Sequence, residues 1–230
     1  MKELMIDSSS LISLSSNCLL WVLDKLKEST NVEMVITPEV RDEVVKSSLG
    51  IDKFRLGGIR VLKRLCNGEI RVRKSNPLLT KKLLTVGNSI YSVRNHNYKI
   101  IHKAEMSLIS LYKSAKKFML IDERIVEKLI NDPFGLKNLL ERRLHMKVTI
   151  DPINLKRFQD MTKGINVIKS SDLIAVAQEK GLLKDYVKEC YSNKVMKDFL
   201  SGAFWGLKNT GCAISTLDIR EYLKELKETL

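Results

Sequence analysis

Two aspartates occupy positions from which a carboxylate could do chemistry. Asp7 follows the apolar residues 3–6, and Asp122 follows the apolar residues 118–121. Each apolar run predicts a buried strand, and a helical pattern begins directly after each aspartate. In an open parallel sheet, ligands bind in the crevice outside the carboxyl ends of the strands. The sequence therefore predicts that these two carboxylates lie close together if their strands are neighbours.

The chemistry of such a pair is that of a hard metal site. Two carboxylates in one cleft repel each other unless they are protonated or bridged by a cation. Carboxylate oxygens suit Mg²⁺ or Mn²⁺. Zinc is disfavoured, because the histidines lack ligand spacing and no CxxC pair occurs among Cys18, Cys66, Cys190 and Cys212. The competing interpretation is structural, since aspartate is a common helix N-cap.

The charge balance predicts a polyanionic partner. The chain of 230 residues has 40 Lys and Arg against 27 Asp and Glu, a formal net charge of +13. Basic side chains spread along the chain favour nucleic acid over a membrane surface, which would prefer one basic amphipathic helix. The alternative is a solvated basic surface. No apolar run reaches the length of a membrane span and no signal-peptide pattern is present, so we expect a cytoplasmic protein without a membrane partner.

The elements that must position the aspartates alternate between strand and helix. Residues 3–6 and 32–36 are predicted strands, followed by helices over 11–26 and from Thr37-Pro38 onward. This alternation predicts a parallel α/β sheet. Further strands are predicted at 118–121 and 167–168.

Two segments do not fit this alternation. Residues 49–101 are strongly basic and are predicted to be an insertion, and residues 132–165 are predicted to be a helical insertion with a short strand at 148–150. Helices over 184–207 and 216–229 close the chain. We interpret residues 1–230 as a single domain carrying these two insertions.

The acidic segments, taken in order, resemble the PIN-domain family of nucleases. The similar segments are MIDSSSLI (5–12), ITPEVRDEV (36–44), KAEMSLISL (103–111), LIDER (120–124) and VIKSSDLIAVAQEKGL (167–182). The resemblance covers residues 1–48 and 102–131, and more loosely 166–230. Ala104 stands where the family usually has glycine, Glu123 stands where it has a second aspartate, and both predicted insertions are longer than in a minimal member.

The resemblance implies a fold and an activity. The fold would be an α/β/α sandwich of three layers, with a central, mainly parallel sheet and helical insertions. The activity would be that of a divalent-metal-dependent nuclease, most favourably an endoribonuclease, with RNA preferred over DNA. By similarity, Asp7, Glu105 and Asp122 would ligate Mg²⁺ or Mn²⁺, Glu43 would be a fourth catalytic acid, and Ser9 would hydrogen-bond to a carboxylate or a bound water.

An acidic cleft repels its substrate, so a basic surround is needed to bind nucleic acid. We predict that this role falls to the basic segment, through Arg55, Arg60, Lys63, Arg64, Arg71, Arg73 and Lys74. The alternative is that these cations form the solvated face of a helical insertion. Arg124 either steers phosphate or pairs with Glu123.

Other functions stay open at the level of sequence. The main alternative is a catalytically inactive PIN-like module that binds RNA or protein. A receiver-like signalling domain is disfavoured because Asp7 is followed by serines rather than by a second acid, and a helix-turn-helix regulator has no compact turn to support it. A toxin with an antitoxin-like protein partner and an RNA-processing enzyme are both compatible with the resemblance, as is a homodimer.

Overall fold

A computed structural model describes residues 2–112, 117–186 and 193–229. The strands are β1 (Lys2–Ile6), β2 (Val32–Ile36), β3 (Ile70–Val72), β4 (Tyr91–Val93), β5 (His96–Asn97), β6 (Lys117–Leu120), β7 (Val148–Ile150) and β8 (Val167–Ile168). The helices are α1 (Ser8–Ser16), α2 (Trp21–Thr30), α3 (Pro38–Gly50), α4 (Asp52–Cys66), α5 (Pro77–Gly87), α6 (Lys103–Tyr112), α7 (Arg124–Asn131), α8 (Pro133–Leu144), α9 (Pro152–Thr162), α10 (Ser170–Glu179), α11 (Asn193–Asn209) and α12 (Thr216–Thr229).

The central sheet has five strands in the order β3-β2-β1-β6-β8, and every neighbouring pair is parallel. Its middle strand, β1, carries the fully buried Met5 and Ile6 on opposite faces. A strand buried on both faces needs apolar side chains on both, which is why residues 4–6 of β1 and 118–120 of β6 form continuous apolar runs. Helices flank this sheet, so the predicted sandwich of three layers with a mainly parallel sheet is confirmed.

A second, antiparallel sheet has the order β5-β4-β7. It joins the two segments predicted to be insertions, because β4 and β5 come from 49–101 and β7 comes from 132–165. The predicted strand at 148–150 is therefore confirmed. Tyr91 of β4 is fully buried, and its hydroxyl donates a hydrogen bond of 2.8 Å to the carbonyl oxygen of Pro133 at the start of α8.

Part of the segment predicted to be an insertion, 49–101, instead completes the central sheet. Strand β3 pairs with β2 and forms its edge, and α4 is the crossover that leads to it. The sequence of β3 did not indicate a strand, because β3 is short and only Ile70 is buried, while Arg71 and Val72 are exposed. An edge strand with a single buried residue lacks the apolar run that marks a central strand.

The prediction of one helix over 11–26 is wrong, since α1 ends at Ser16 and α2 begins at Trp21. Asn17 caps α1 and donates from its side-chain amide to the carbonyl of Ser13 and the hydroxyl of Thr210, at 2.8 Å each. Cys18 then takes a left-handed conformation with φ 58°. The predicted closing helices correspond to α11 and α12, although residues 187–192, including Cys190, lie outside the described residues.

We expect Tyr91→Phe to lower the free energy of unfolding by about 1–2 kcal/mol, because the buried carbonyl of Pro133 loses its donor. Tyr98→Phe is the matched control, since the half-buried Tyr98 forms no hydroxyl hydrogen bond with any described residue, and its effect should stay below about 0.5 kcal/mol. Urea unfolding measures both variants. Equal effects would contradict this account of how the second sheet is anchored.

Candidate active site

The predicted carboxylates meet where the strand order of the central sheet reverses. From β1 the chain adds β2 and β3 on one side, and it later adds β6 and β8 on the other. The strands β1 and β6 are neighbours, and the amide of Asp7 donates a hydrogen bond of 3.0 Å to the carbonyl of Leu120. The structure therefore shows that β1 and β6 are neighbours, as the prediction of two adjacent carboxylates requires. Such a reversal point opens a crevice at the carboxyl ends of the strands.

Asp7 is buried at the N-terminus of α1, and Ser9 holds one of its oxygens. The hydroxyl of Ser9 donates to Oδ2 at 2.7 Å, and the amide of Ser9 donates to the same oxygen at 3.2 Å. The other oxygen, Oδ1, is buried and has no hydrogen-bond partner among the described residues. Burial raises the pKa of Asp7 to about 6, the Ser9 hydroxyl opposes this rise, and Glu43 adds to it.

Glu105 lies in the first turn of α6 and is also buried. The amide of His102 donates to its Oε2 at 2.5 Å, which fixes one side of the carboxyl group. Burial and then the charge of Asp7 raise the pKa of Glu105 to about 8, while the His102 amide opposes the change. Glu105 and Asp7 are thus close enough for each to feel the other's charge, although they are distant in sequence.

Two further glutamates belong to the same cluster. Glu43, half-buried on α3, raises the pKa of both Asp7 and Glu105. Glu123, just before α7, has its pKa raised to about 7, first by burial and then by Asp7; the amides of Ile125 and Val126 and the charge of Arg143 oppose this rise. We call Asp7, Glu43, Glu105 and Glu123 the acidic cluster.

Glu123 was not among the predicted site residues. The sequence indicated this residue only through the pair of acids, Asp122 and Glu123, in the segment LIDER (120–124). Glu123 has an extended backbone, and consecutive residues of an extended chain point to opposite sides. Sequence alone does not say which of Asp122 and Glu123 faces the crevice.

Asp122 is fully buried and has different neighbours. Its Oδ1 accepts a hydrogen bond of 2.7 Å from the amide of Ser170, and its carbonyl accepts one of 3.0 Å from the amide of Ala213. Burial raises the pKa of Asp122, while Ser170, Cys212 and Ser13 lower it. These contacts tie β6 to the start of α10 and to the segment before α12. Asp122 thus has a structural role beside the acidic cluster, and its predicted role as a metal ligand stays a prediction.

The carboxyl oxygens of the cluster are ligands that suit a hard divalent cation. Their positions, however, do not form a complete metal site. Asp7 Oδ1 and Asp122 Oδ2 are buried carboxyl oxygens without a hydrogen-bond donor among the described residues. Burial and neighbouring carboxylates raise the pKa values of the cluster, and the charge of Arg143 opposes this rise at Glu123. Over residues 2–112, 117–186 and 193–229, however, no three Asp, Glu, His or Cys side chains are gathered closely enough to hold one ion.

Most of the predicted nucleic-acid-binding cations are engaged with other groups of the protein. Arg64 pairs with Asp24 and Glu69, at 2.5 and 2.9 Å. Arg73 pairs with Glu3 at 2.5 Å, and Arg71 pairs with Glu33 at 2.7 Å. These ion pairs join α4 and β3 to their neighbours.

The remaining members of that set are Arg55, Arg60, Lys63 and Lys74. Arg60 donates to the carbonyl of Ser15 at 3.1 Å, and Arg55 pairs with Asp52 at 2.7 Å. Lys63 and Lys74 are exposed. The binding role of this segment stays a prediction, with Lys63 and Lys74 as its most accessible cations.

Comparisons of the chain with models of protein families, with curated proteins and with solved structures each gave no match. Within the described ranges, no helix combines the length and the apolar character needed to cross a bilayer.

We expect Glu105→Gln to stabilise the protein at alkaline pH. The folded protein holds the Glu105 proton up to about pH 8, whereas an unfolded chain releases it near pH 4.5. Stability is therefore lost as the pH rises from 4.5 towards 8. Glutamine cannot ionise, so the variant should be more stable than the wild type at pH 8 by about 2 kcal/mol or more, since one pKa unit corresponds to about 1.4 kcal/mol.

The measurement is urea unfolding at pH 4.5 and pH 8. Glu179→Gln, an exposed change on α10, is the matched control and should alter stability equally at both pH values. A Glu105→Gln variant that is less stable than the wild type at pH 8 would show that the carboxylate is stabilised in the fold.

Proposed function

We propose that this protein is a divalent-metal-dependent nuclease, most favourably an endoribonuclease. The observation that carries the proposal is the acidic cluster beside the carboxyl ends of β1 and β6, in which burial raises the pKa of Asp7, Glu105 and Glu123 and the charge of Asp7 contributes to the rise at Glu105 and Glu123. Carboxyl groups in a crevice are the donors that Mg²⁺ or Mn²⁺ prefers. The resemblance of the acidic segments to PIN-domain nucleases and the net charge of +13 support the same function.

In the proposed site, Asp7, Glu105 and Glu123 would hold the cation, with Glu43 adding negative charge. A bound Mg²⁺ or Mn²⁺ ion supplies Lewis acidity and charge neutralisation at a phosphate. Ser9 keeps the Asp7 carboxyl group oriented, and the His102 amide does the same for Glu105.

A second candidate function is a catalytically inactive module that binds RNA. The observation that favours it is that no three acids among the described residues are gathered closely enough to hold one ion. This module would keep the fold and the positive charge but would bind metal only weakly. Metal affinity therefore separates the two candidates.

We expect the wild type to cleave single-stranded RNA in the presence of Mn²⁺, and Asp7→Asn to reduce the rate by about 100-fold or more, because a proposed metal ligand loses its charge. Asp42→Asn is the control, since Asp42 is exposed on α3 beside Glu43 and pairs with Arg41. Its rate should stay near that of the wild type. Cleavage of a labelled RNA, resolved by electrophoresis, measures all three proteins.

Calorimetry with Mn²⁺ then decides between the candidates. Equal, weak binding by the wild type and by Asp7→Asn, together with no cleavage, would establish the inactive module and refute the nuclease.

Glu123→Gln should weaken Mn²⁺ binding by about tenfold or more, because Glu123 belongs to the acidic cluster. Glu127→Gln is the matched control one turn along α7, where Glu127 instead pairs with Lys169 at 3.6 Å. Its affinity should stay within about twofold of the wild type. If Asp122→Asn weakens binding and Glu123→Gln does not, the roles assigned to these neighbours are reversed.

A further inference from the structure

The second sheet has one apolar face and one polar face. In the antiparallel ladder of β4 and β7, Tyr91 and Val148 are fully buried and point into the core. Ser92 and Thr149 form a cross-strand pair on the opposite face, and their hydroxyl oxygens lie 2.6 Å apart. The outer face therefore presents hydroxyl groups to solvent.

Two cations flank these hydroxyls. Arg94 is the first residue of the two-residue turn between β4 and β5, and Lys147 directly precedes β7. A cavity of about 310 Å³ is lined by Ser92, Arg94, Asn95, Met146, Lys147 and Thr149. Arg94 and Lys147 thus place two like charges at one cavity, and like charges repel each other unless an anion lies between them.

Among the described residues, Arg94 and Lys147 are not paired with carboxylates, in contrast to the arginines of α4 and β3. Over the described ranges, neither Arg94 nor Lys147 forms an ion pair of 4.0 Å or less. Lys147 lowers the pKa of Glu141, but that carboxylate already accepts from the amide of Val148 at 3.0 Å and pairs with Lys137 at 3.5 Å. Arg94 has a positive φ of 50° and Asn95 one of 64°, because these two residues form the two-residue turn between β4 and β5.

The basic face continues towards the acidic cluster. Four exposed basic or imidazole side chains form a basic turn: Arg142 and Arg143 in the last turn of α8, and His145 and Lys147 between α8 and β7. Arg143 acts on Glu123, because its charge lowers the pKa of that residue. One end of this basic turn thus lies near the acidic cluster, and the other end lines the cavity of the second sheet.

We propose that single-stranded RNA binds along this face, with backbone phosphates at Arg94 and Lys147 and ribose hydroxyls at Ser92 and Thr149. The proposal rests on the nuclease function and supplies its substrate path, since the strand would continue past Arg143 to the acidic cluster. Phosphate oxygens accept hydrogen bonds from arginine, lysine and hydroxyl groups, and the 2′-hydroxyl is the group that distinguishes RNA from DNA. None of the six cavity-lining side chains is aromatic, so recognition would rest on the backbone rather than on base stacking.

The test is binding of a fluorescein-labelled oligouridine, followed by anisotropy in EDTA so that no cleavage occurs. Arg94→Gln/Lys147→Gln should bind about tenfold more weakly than the wild type. The slope of log affinity against log salt should fall by about 1.4, since each phosphate contact to a single strand contributes about 0.7. Arg220→Gln/Lys224→Gln, which removes the same two charges from exposed positions of α12, is the matched control and should stay within about twofold. Thermal melting followed by circular dichroism verifies that all variants are folded.

Several results would overturn the proposal: no oligouridine binding by the wild type, equal losses in the two double variants, or a larger loss in Lys63→Gln/Lys74→Gln. Tighter binding of oligothymidine would overturn the assignment to RNA. Failure of the nuclease function is distinguishable, because it would appear as RNA binding with the expected pattern but without cleavage in Mn²⁺. RNA cleavage that the Arg94→Gln/Lys147→Gln variant leaves undiminished would overturn the proposed path and retain the nuclease.

Discussion

The pairing of β1 with β6 brings Asp7 beside residues 122 and 123, because parallel strands end at the same edge of a sheet. Burial there disfavours the charged form of each carboxyl group, and Glu43 and Glu105 add like charges to the same crevice. In the structure, raised pKa values favour the protonated form of these carboxyl groups, and Ser9 and His102 donate hydrogen bonds to Asp7 and Glu105. A divalent cation would meet the same cost by direct neutralisation, which links the fold to the proposed chemistry.

The central part of the fold could be predicted from sequence because its signals are local. An apolar run followed by a capping residue marks β1, and the Thr37-Pro38 pair marks the start of α3. The edge strand β3 was missed because an edge needs little apolar surface. The break at Asn17 was missed because it depends on Thr210, a partner almost two hundred residues away. Contacts of that kind have no local signature.

The sequence predicted which positions carry the acids of the candidate site, but not in which direction their side chains point. Asp7, Glu43 and Glu105 were predicted members, and the structure brings them within electrostatic reach of one another. The sequence also indicated acids at the end of β6, yet only the structure shows Asp122 bound to Ser170 and Glu123 coupled to Asp7. The ion pairs that occupy Arg64, Arg71 and Arg73 had no signal in the sequence, because their acidic partners lie on other elements.

Proton release on metal binding tests the central claim most directly. Metal ligands must be deprotonated, so a cation that enters a cluster with pKa values of about 6, 8 and 7 must displace protons at neutral pH. Calorimetry of Mn²⁺ binding at pH 7, in buffers of different ionisation enthalpy, counts them. The account predicts release of about one proton or more per bound ion, falling as the pH is raised above 8. Binding without proton release, or no binding at all, would contradict it.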